Sequence, residues 1–532
     1  MLLAITLFAI LSRLVRVPYP IVMLIGGGLI ALIPGLRPVK LAPDVVFLVI
    51  LPLLLFGGGW TTDFRRFKQL LVPILWLALG LVVLTTLAVA YVAHAWLGLP
   101  LASAFVLGAI LSPSDAIATE AIADEIPFPA GAQTILSGES LVNDAAALVL
   151  YAFAIDAVST GTFSLVPAAL DFLYVTVAGM AIGLIAAYAI YRVSGWMRRA
   201  NVQDDVLSVL ISLVTPFMTY LPAQAAQASG VLAAVTGGVF LSTRSSTIFT
   251  AEQRLAAGGV WATTTFALNG FAFILVGLQL RSVFGELASY SPGTLLGYAL
   301  GIAAVVVGTR FVAVFAGGSL RWARGKARGG DVGAHPPWGG FIITAWAGMR
   351  GIVTLAGALA IPATTASGTP FPGRALILFL AFTTIVITLV GQGLTLPYIV
   401  RRLGGGPDDG YQRDLALARL RLAEAGRERM RELEAGFTST TEWEAASRII
   451  GTLQEQITQA QAVLDGAATG DRTTALASAE SSLIGSMHAA ERTALERMRR
   501  NAEISDRAFR QIQYEIDLGE SRLLQNAATG EN

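Results

Sequence analysis

The chain has no cysteine, which excludes disulfides, thiol nucleophiles and thiolate metal sites. Its histidines number three, His94, His335 and His488. They are far apart and without ligand spacing, so no metal centre is expected on them. Charge is scarce as well: Asp, Glu, Lys and Arg make up 14% of 532 residues, and most of them follow residue 400. The net charge of +1 gives no sign of a nucleic-acid partner, because the distribution of charge matters more than its sum. The first residues lack a basic stretch and a small-residue cleavage site, so no removable signal peptide is expected. No nucleophile–base pair or phosphate loop stands out in the polar C-terminal part, and no cofactor is implied.

What is abundant is apolar sequence, at 54%. Long hydrophobic runs separated by short basic loops indicate a polytopic all-α membrane protein. We count about thirteen spans, each near the roughly 20 residues a bilayer requires, the first of them short. With an odd count and the tail inside, the N-terminus lies outside. The loops then placed inside carry Arg13, Arg16, Arg65, Arg66, Lys68, Arg192, Arg198, Arg199, Arg244, Arg254, Arg321, Arg324, Lys326 and Arg328. Those outside carry only Arg37, Lys40, Arg281 and Arg374. This alternation is the positive-inside pattern and puts the C-terminal tail in the cytoplasm of a cell-membrane protein. Residues 1–403 form the membrane domain; Gly404-Gly405-Gly406-Pro407 breaks the last span, and 404–532 is a tail of amphipathic helices. Helices are expected there at about 440–465 and 475–500, with Ser505-Asp506 capping another.

Polar residues interrupt three spans. Gly138-Glu139-Ser140-Leu141-Val142-Asn143-Asp144 places two carboxylates where apolar side chains cost least. Ionisable groups at membrane depth are functional until shown otherwise. Glu139 and Asn143 are four apart and share a helical face, while Asp144 sits about 100° round from Asn143. Asp144 is therefore read as the binder of a transported species. Leu111-Ser112-Pro113-Ser114-Asp115 should break its span, since Pro113 has no amide hydrogen to give the ladder. Gly348-Met349-Arg350-Gly351 interrupts a later span. Broken helices in two halves point to a secondary transporter's midplane site. The buried acids and the buried Arg310 and Arg350 must pair. Asp156 and Asp171 mark helix ends, and Glu120, Asp124 and Glu125 a boundary.

These strings resemble the bacterial monovalent cation:proton antiporters, the sodium/proton exchangers with an Asn-Asp motif. Gly138–Asp144 matches the Gly-Glu-Ser-Leu-X-Asn-Asp signature of that family; Ser114-Asp115 is similar to its Thr-Asp-Pro stretch, and Gly348–Gly351 to its Gly-X-Arg-Gly. Arg310 with Val314-Phe315 resembles its buried arginine motif, and 503–518 the end of many members. The resemblance implies two inverted repeats with two unwound crossing helices, a homodimer, scaffold helices at about 1–60 and 205–280, and core helices at about 70–158 and 291–399. It implies that Asp144 transiently holds sodium, potassium or lithium, or else a proton, with Ser140, Asn143 and Ser114 around it. Glu139 would pair with Arg310, and Asp115 and Arg350 would balance half-helix ends. One stretch departs: in Phe56-Gly57-Gly58-Gly59 the family usually has an acid at or next to position 57, and here there are three glycines.

The expected activity is electroneutral exchange of a monovalent cation for a proton, the two competing for one carboxylate, because Asn rather than Asp precedes Asp144. Hard cations prefer oxygen donors, which Asp144 offers when deprotonated. The rivals are a channel or uniporter, which needs more pore-lining polar residues, and an intramembrane aspartyl protease, whose Gly-X-Gly-Asp setting is absent. A third is a transporter-derived sensor that has lost transport with the acid at Gly57.

Overall fold

The computed structural model describes residues 1–465 except 35–44, 124–127, 129, 162–164, 201, 203, 281–286, 288–289, 329–336, 366–367, 404–408, 435 and 437–438; beyond that it describes 487, 490–498, 500–501 and 512–513. The described residues contain helices and no strand, with an isolated bridge between Thr364 and Pro370. They fall into two units, Met1–Pro407 and Asp408–Asn532.

In the first unit, α1 (Leu2–Val15), α2 (Tyr19–Ala31) and α3 (Val46–Thr61) come first. After them come α4 (Leu71–Leu97), α5 (Leu101–Leu111), α6 (Ala116–Ala123), α7 (Ala130–Thr160) and α8 (Leu165–Arg199). Next are α9 (Asp205–Ala225), α10 (Gly230–Ser242), α11 (Ala251–Leu278) and α12 (Pro292–Ala327). The last are α13 (Trp338–Trp346), α14 (Ile352–Leu359) and α15 (Arg374–Leu403). Helices suit this sequence because a bilayer offers no partner for a free N–H or C=O, so the backbone must satisfy itself. Among the described residues seven helices, α4, α7, α8, α9, α11, α12 and α15, are long and apolar enough to cross a membrane; α1, α2, α3, α5 and α10 are shorter apolar helices. Starts are fixed by side chains: Ser229 accepts from the Leu232 amide, Ser291 from Thr294, and Thr250 forms a capping box with Gln253.

Two spans are interrupted. α5 stops at Leu111 and α6 begins at Ala116. α13 stops at Trp346 and α14 begins at Ile352. Pro113 and the pair Gly348 and Gly351 lie in these gaps, where the missing amide hydrogen and the missing side chains weaken a helix most.

Small residues set helix spacing. A Cβ on Gly27 would strike the backbone of Ile274, and one on Gly277 the backbone of Leu24, so α2 and α11 pack backbone to backbone. Gly59 against Val235 and Gly238 against Phe56 do the same for α3 and α10. Gly58 meets only the Leu141 side chain. Leu3, Leu7 and Leu14 of α1 and Leu173, Ile185 and Tyr188 of α8 are exposed, an apolar surface suited to lipid rather than water.

In the second unit, α16 (Asp409–Glu434) and α17 (Thr440–Leu464) pack together through buried Ala416, Ala423, Ala446, Ile457 and Ala460. A Ser439–Glu442 capping box starts α17, and Arg427 donates to Gln454 at 2.6 Å. Of the helix expected at 475–500, residues 490–498 are helical; its first dozen residues, the Ser505-Asp506 cap and nearly all of 503–518 lie outside the described residues.

Candidate functional site

α7 presents its polar residues on two faces, because residues four apart stack and neighbours diverge by about 100°. Glu139 and Asn143 share one face. Glu139 and Arg310 form a two-armed ion pair, Nη1 to Oε1 at 2.5 Å and Nη2 to Oε2 at 2.8 Å, with both side chains buried. Arg310 also donates from Nε to the Thr344 carbonyl at 3.2 Å. Glu139 Oε1 accepts from the Ser114 hydroxyl at 2.8 Å, and Asn143 Nδ2 donates to Ser114 Oγ at 3.0 Å and to its carbonyl at 3.2 Å. Charges taken out of water need this density of partners.

Ser140 and Asp144 share the other face. The Ser140 hydroxyl gives its hydrogen to the Ser114 carbonyl at 2.9 Å, which leaves its lone pairs free to meet a cation. Asp144 is 8% exposed and, among the described residues, makes no ion pair or hydrogen bond. It borders a cavity of about 70 Å³ walled by Leu51, Leu54 and Leu55 of α3, by Ser114 and Asp115, and by the first turn of α14 up to Thr354. At roughly 10–15 Å³ per water, that space takes an ion with a few waters.

The two interruptions meet beside this cavity. The Asp115 amide donates to the Met349 carbonyl at 2.8 Å. Arg350 donates from Nε to the Leu111 carbonyl at 2.9 Å and also to the carbonyls of Gly348 and Ser112. It thus meets the carbonyls left over where α5 ends. Thr119 of α6 donates to the Ala347 carbonyl at the end of α13, at 2.9 Å. The Asp115 carboxylate lies where a Cβ on Gly351 would sit, at the amino end of α14. Gly348 is equally confined: a Cβ there would overlap the Arg310 guanidinium.

The structure thus gathers Asp144, Ser140, Asn143, Ser114, Glu139, Arg310, Asp115 and Arg350 into one region, with three departures from the sequence reading. Arg350 is met by main-chain carbonyls, not by a carboxylate, because the broken helix supplies acceptors that sequence spacing does not reveal. Ser114, expected to offer its backbone or hydroxyl oxygen, borders the cavity, but its hydroxyl bonds Glu139 and Asn143 and its carbonyl accepts from Ser140 and Asn143. Gly57 does not border the cavity: a Cβ there would rest 3.8 Å from the Trp261 ring and 4.0 Å from the Thr265 hydroxyl. Glu120, read as a boundary residue, accepts from Ser137 at 2.9 Å. Asp156 and Asp171 are exposed near the ends of α7 and α8. Thr119, Thr344 and Thr354 escaped the sequence reading, since a lone threonine in an apolar helix carries no signal. Its place three residues after Gly351, beside the break, is the one sequence signal that could have marked Thr354.

Interrupted helices crossing beside a buried carboxylate are the architecture of secondary transporters. Residues 2–402 match the family described as "Sodium/hydrogen exchanger, transmembrane". A Na(+)/H(+) exchanger of Mycobacterium tuberculosis, described as uncharacterized, is 33% identical over 534 residues, 98% of this chain and 95% of that one. The sodium, potassium, lithium and rubidium/H(+) antiporter of Bacillus subtilis is 35% identical over 391 residues, 72% of this chain and 58% of that one. The solved sodium proton antiporter of Methanocaldococcus jannaschii shares the fold, with a TM-score of 0.57 at 16% identity over 76% of this chain and 97% of that one. The chain belongs to the sodium/hydrogen exchanger family, and it is a multi-pass membrane protein.

Proposed function

We propose that the chain exchanges a monovalent cation, sodium first with potassium and lithium as alternatives, for protons by alternating access, one charge each way. The observation that carries this reading is Asp144, a buried carboxylate at a small cavity with no partner among the described residues. A carboxylate so placed costs too much to keep charged and alone, so it is occupied in turn by a cation or a proton. Ser140 lends a neutral oxygen to the ion. Glu139, Arg310, Asn143 and Ser114 hold the frame in which Asp144 moves between its two ligands, and Arg350 and Asp115 neutralise the ends of the half-helices. In this reading about thirteen crossings form two inverted repeats, the protein is a homodimer, the core moves past the scaffold, the N-terminus is outside and the tail is cytoplasmic. What the relatives are named for, exchange of Na(+) and related ions against H(+), supports it.

The test uses purified protein in liposomes with an imposed pH gradient and an internal pH dye. Sodium, potassium and lithium salts should dissipate the gradient with the native chain and fail to do so with Asp144→Asn. Equal rates from both proteins would refute the role of Asp144. A rate that follows an imposed voltage at clamped pH would refute electroneutrality.

A further inference from the structure

Threonines in these helices usually give their hydroxyl to the carbonyl one turn back, as Thr86 does to Val82, Thr309 to Val305 and Thr388 to Thr384. Thr354 cannot follow the pattern. It is the third residue of α14, so the residue one turn back is Arg350, in the unwound stretch where the chain has left helical geometry. Its hydroxyl is buried, in a residue 1% exposed, and has no hydrogen-bond partner. Leaving a buried hydroxyl unmet is unfavourable, and such a group needs an explanation. Thr85, Ser103 and Thr384 are also unmet, but only Thr354 of these borders the cavity that Asp144 and Ser140 line.

Oxygens around that cavity are few. α3 gives it leucines alone, at Leu51, Leu54 and Leu55. The Ser114 carbonyl already accepts two hydrogen bonds, from Ser140 and Asn143. A hard cation stripped of water meets the Asp144 carboxylate, the Ser140 oxygen and Asp115, which also lines the space, and still lacks neutral oxygens on the α14 side. Thr354 stands on the α14 wall of the same space.

We infer that Thr354 is a ligand of the transported cation: its hydroxyl turns into the cavity to coordinate the ion that Asp144 binds. The inference rests on the exchange reading above. In the state described here the hydroxyl oxygen is shielded, and a turn of about 120° between staggered χ1 wells exposes it. Without the ion the hydroxyl is unmet; with it the oxygen gains a partner.

The experiment compares native protein, Thr354→Val and Thr354→Ser, full-length in liposomes, as rate against sodium concentration at fixed pH. Valine keeps the shape and removes the oxygen. The expected result is an apparent KM raised about tenfold by valine, a maximal rate within about twofold, and a native KM with serine. A second reading, without transport, is the rise in melting temperature that sodium produces in detergent; valine should shrink it and serine restore it. If Thr354 is only a buried hydroxyl, valine leaves KM and the sodium-induced shift unchanged and raises the melting temperature in the absence of sodium. That result overturns the inference and spares the exchange reading. Native protein that moves no protons with sodium, potassium or lithium, and is not stabilised by them, overturns both.

Discussion

Removing Arg310 should cost this fold more than removing any surface arginine. In Arg310→Met, Glu139 loses two charge-assisted bonds, at 2.5 and 2.8 Å, and keeps the Ser114 hydroxyl at 2.8 Å. Bonds of that kind contribute about 1.5–3 kcal/mol each. Stranding one partner of a buried pair costs about 3–5 kcal/mol by direct measurement elsewhere. The two estimates agree, so the single change should cost about 3–5 kcal/mol, and Glu139→Met, which leaves the buried guanidinium without its carboxylate and with the Thr344 carbonyl as acceptor, should cost about as much. Pairing Arg310→Met with Glu139→Met removes both charges and should recover part of the loss, with a coupling energy of about 2 kcal/mol or more. The assay is reversible unfolding of purified protein in mixed micelles with increasing denaturing detergent, read by tryptophan fluorescence. Gly348→Ala is an independent route to the same pair, since its Cβ would overlap the Arg310 guanidinium; it should destabilise without deleting a charge. Single losses under about 1 kcal/mol that simply add in the double variant would refute the claim that this pair holds the core.

An acid introduced at Gly57 should leave the apparent sodium KM unchanged in liposomes, because that position faces Trp261 and Thr265; the same acid at Leu54, which borders the cavity, should lower it. If cation and proton compete for Asp144, apparent KM should rise about tenfold for each pH unit of acidification once the proton dominates the site, at constant maximal rate, by the reciprocity of linked binding. Stopped-flow rates over a pH series test this, and a KM independent of pH would break the competition. Gly59→Val should destabilise by about 1–3 kcal/mol, measured in the same micelle assay, because its side chain would have to push α10 away at Val235.

The chain's sequence determined its elements and their interruptions. Apolar length dictates helices in a bilayer, and Pro113, Gly348 and Gly351 mark the breaks through properties of single residues: a missing amide hydrogen and missing side chains. Helical periodicity likewise separated Asp144 from Glu139 and Asn143 before any coordinates. Periodicity fixes angles within one helix, not the azimuth of that helix against its neighbours. Only the tertiary structure could therefore decide that Glu139 turns to Arg310, 171 positions away, while Asp144 turns to the cavity. For the same reason Gly57 matched a family position by sequence and yet faces away from the cavity. Arg350 found its partners in carbonyls at both breaks, those of Leu111 and Ser112 on another helix and of Gly348 in its own, and carbonyls are common to every residue, so no side-chain pattern announces them. The hydroxyl of Thr354 became distinctive only when the unwound turn before it took away the usual acceptor and the fold set it beside Asp144.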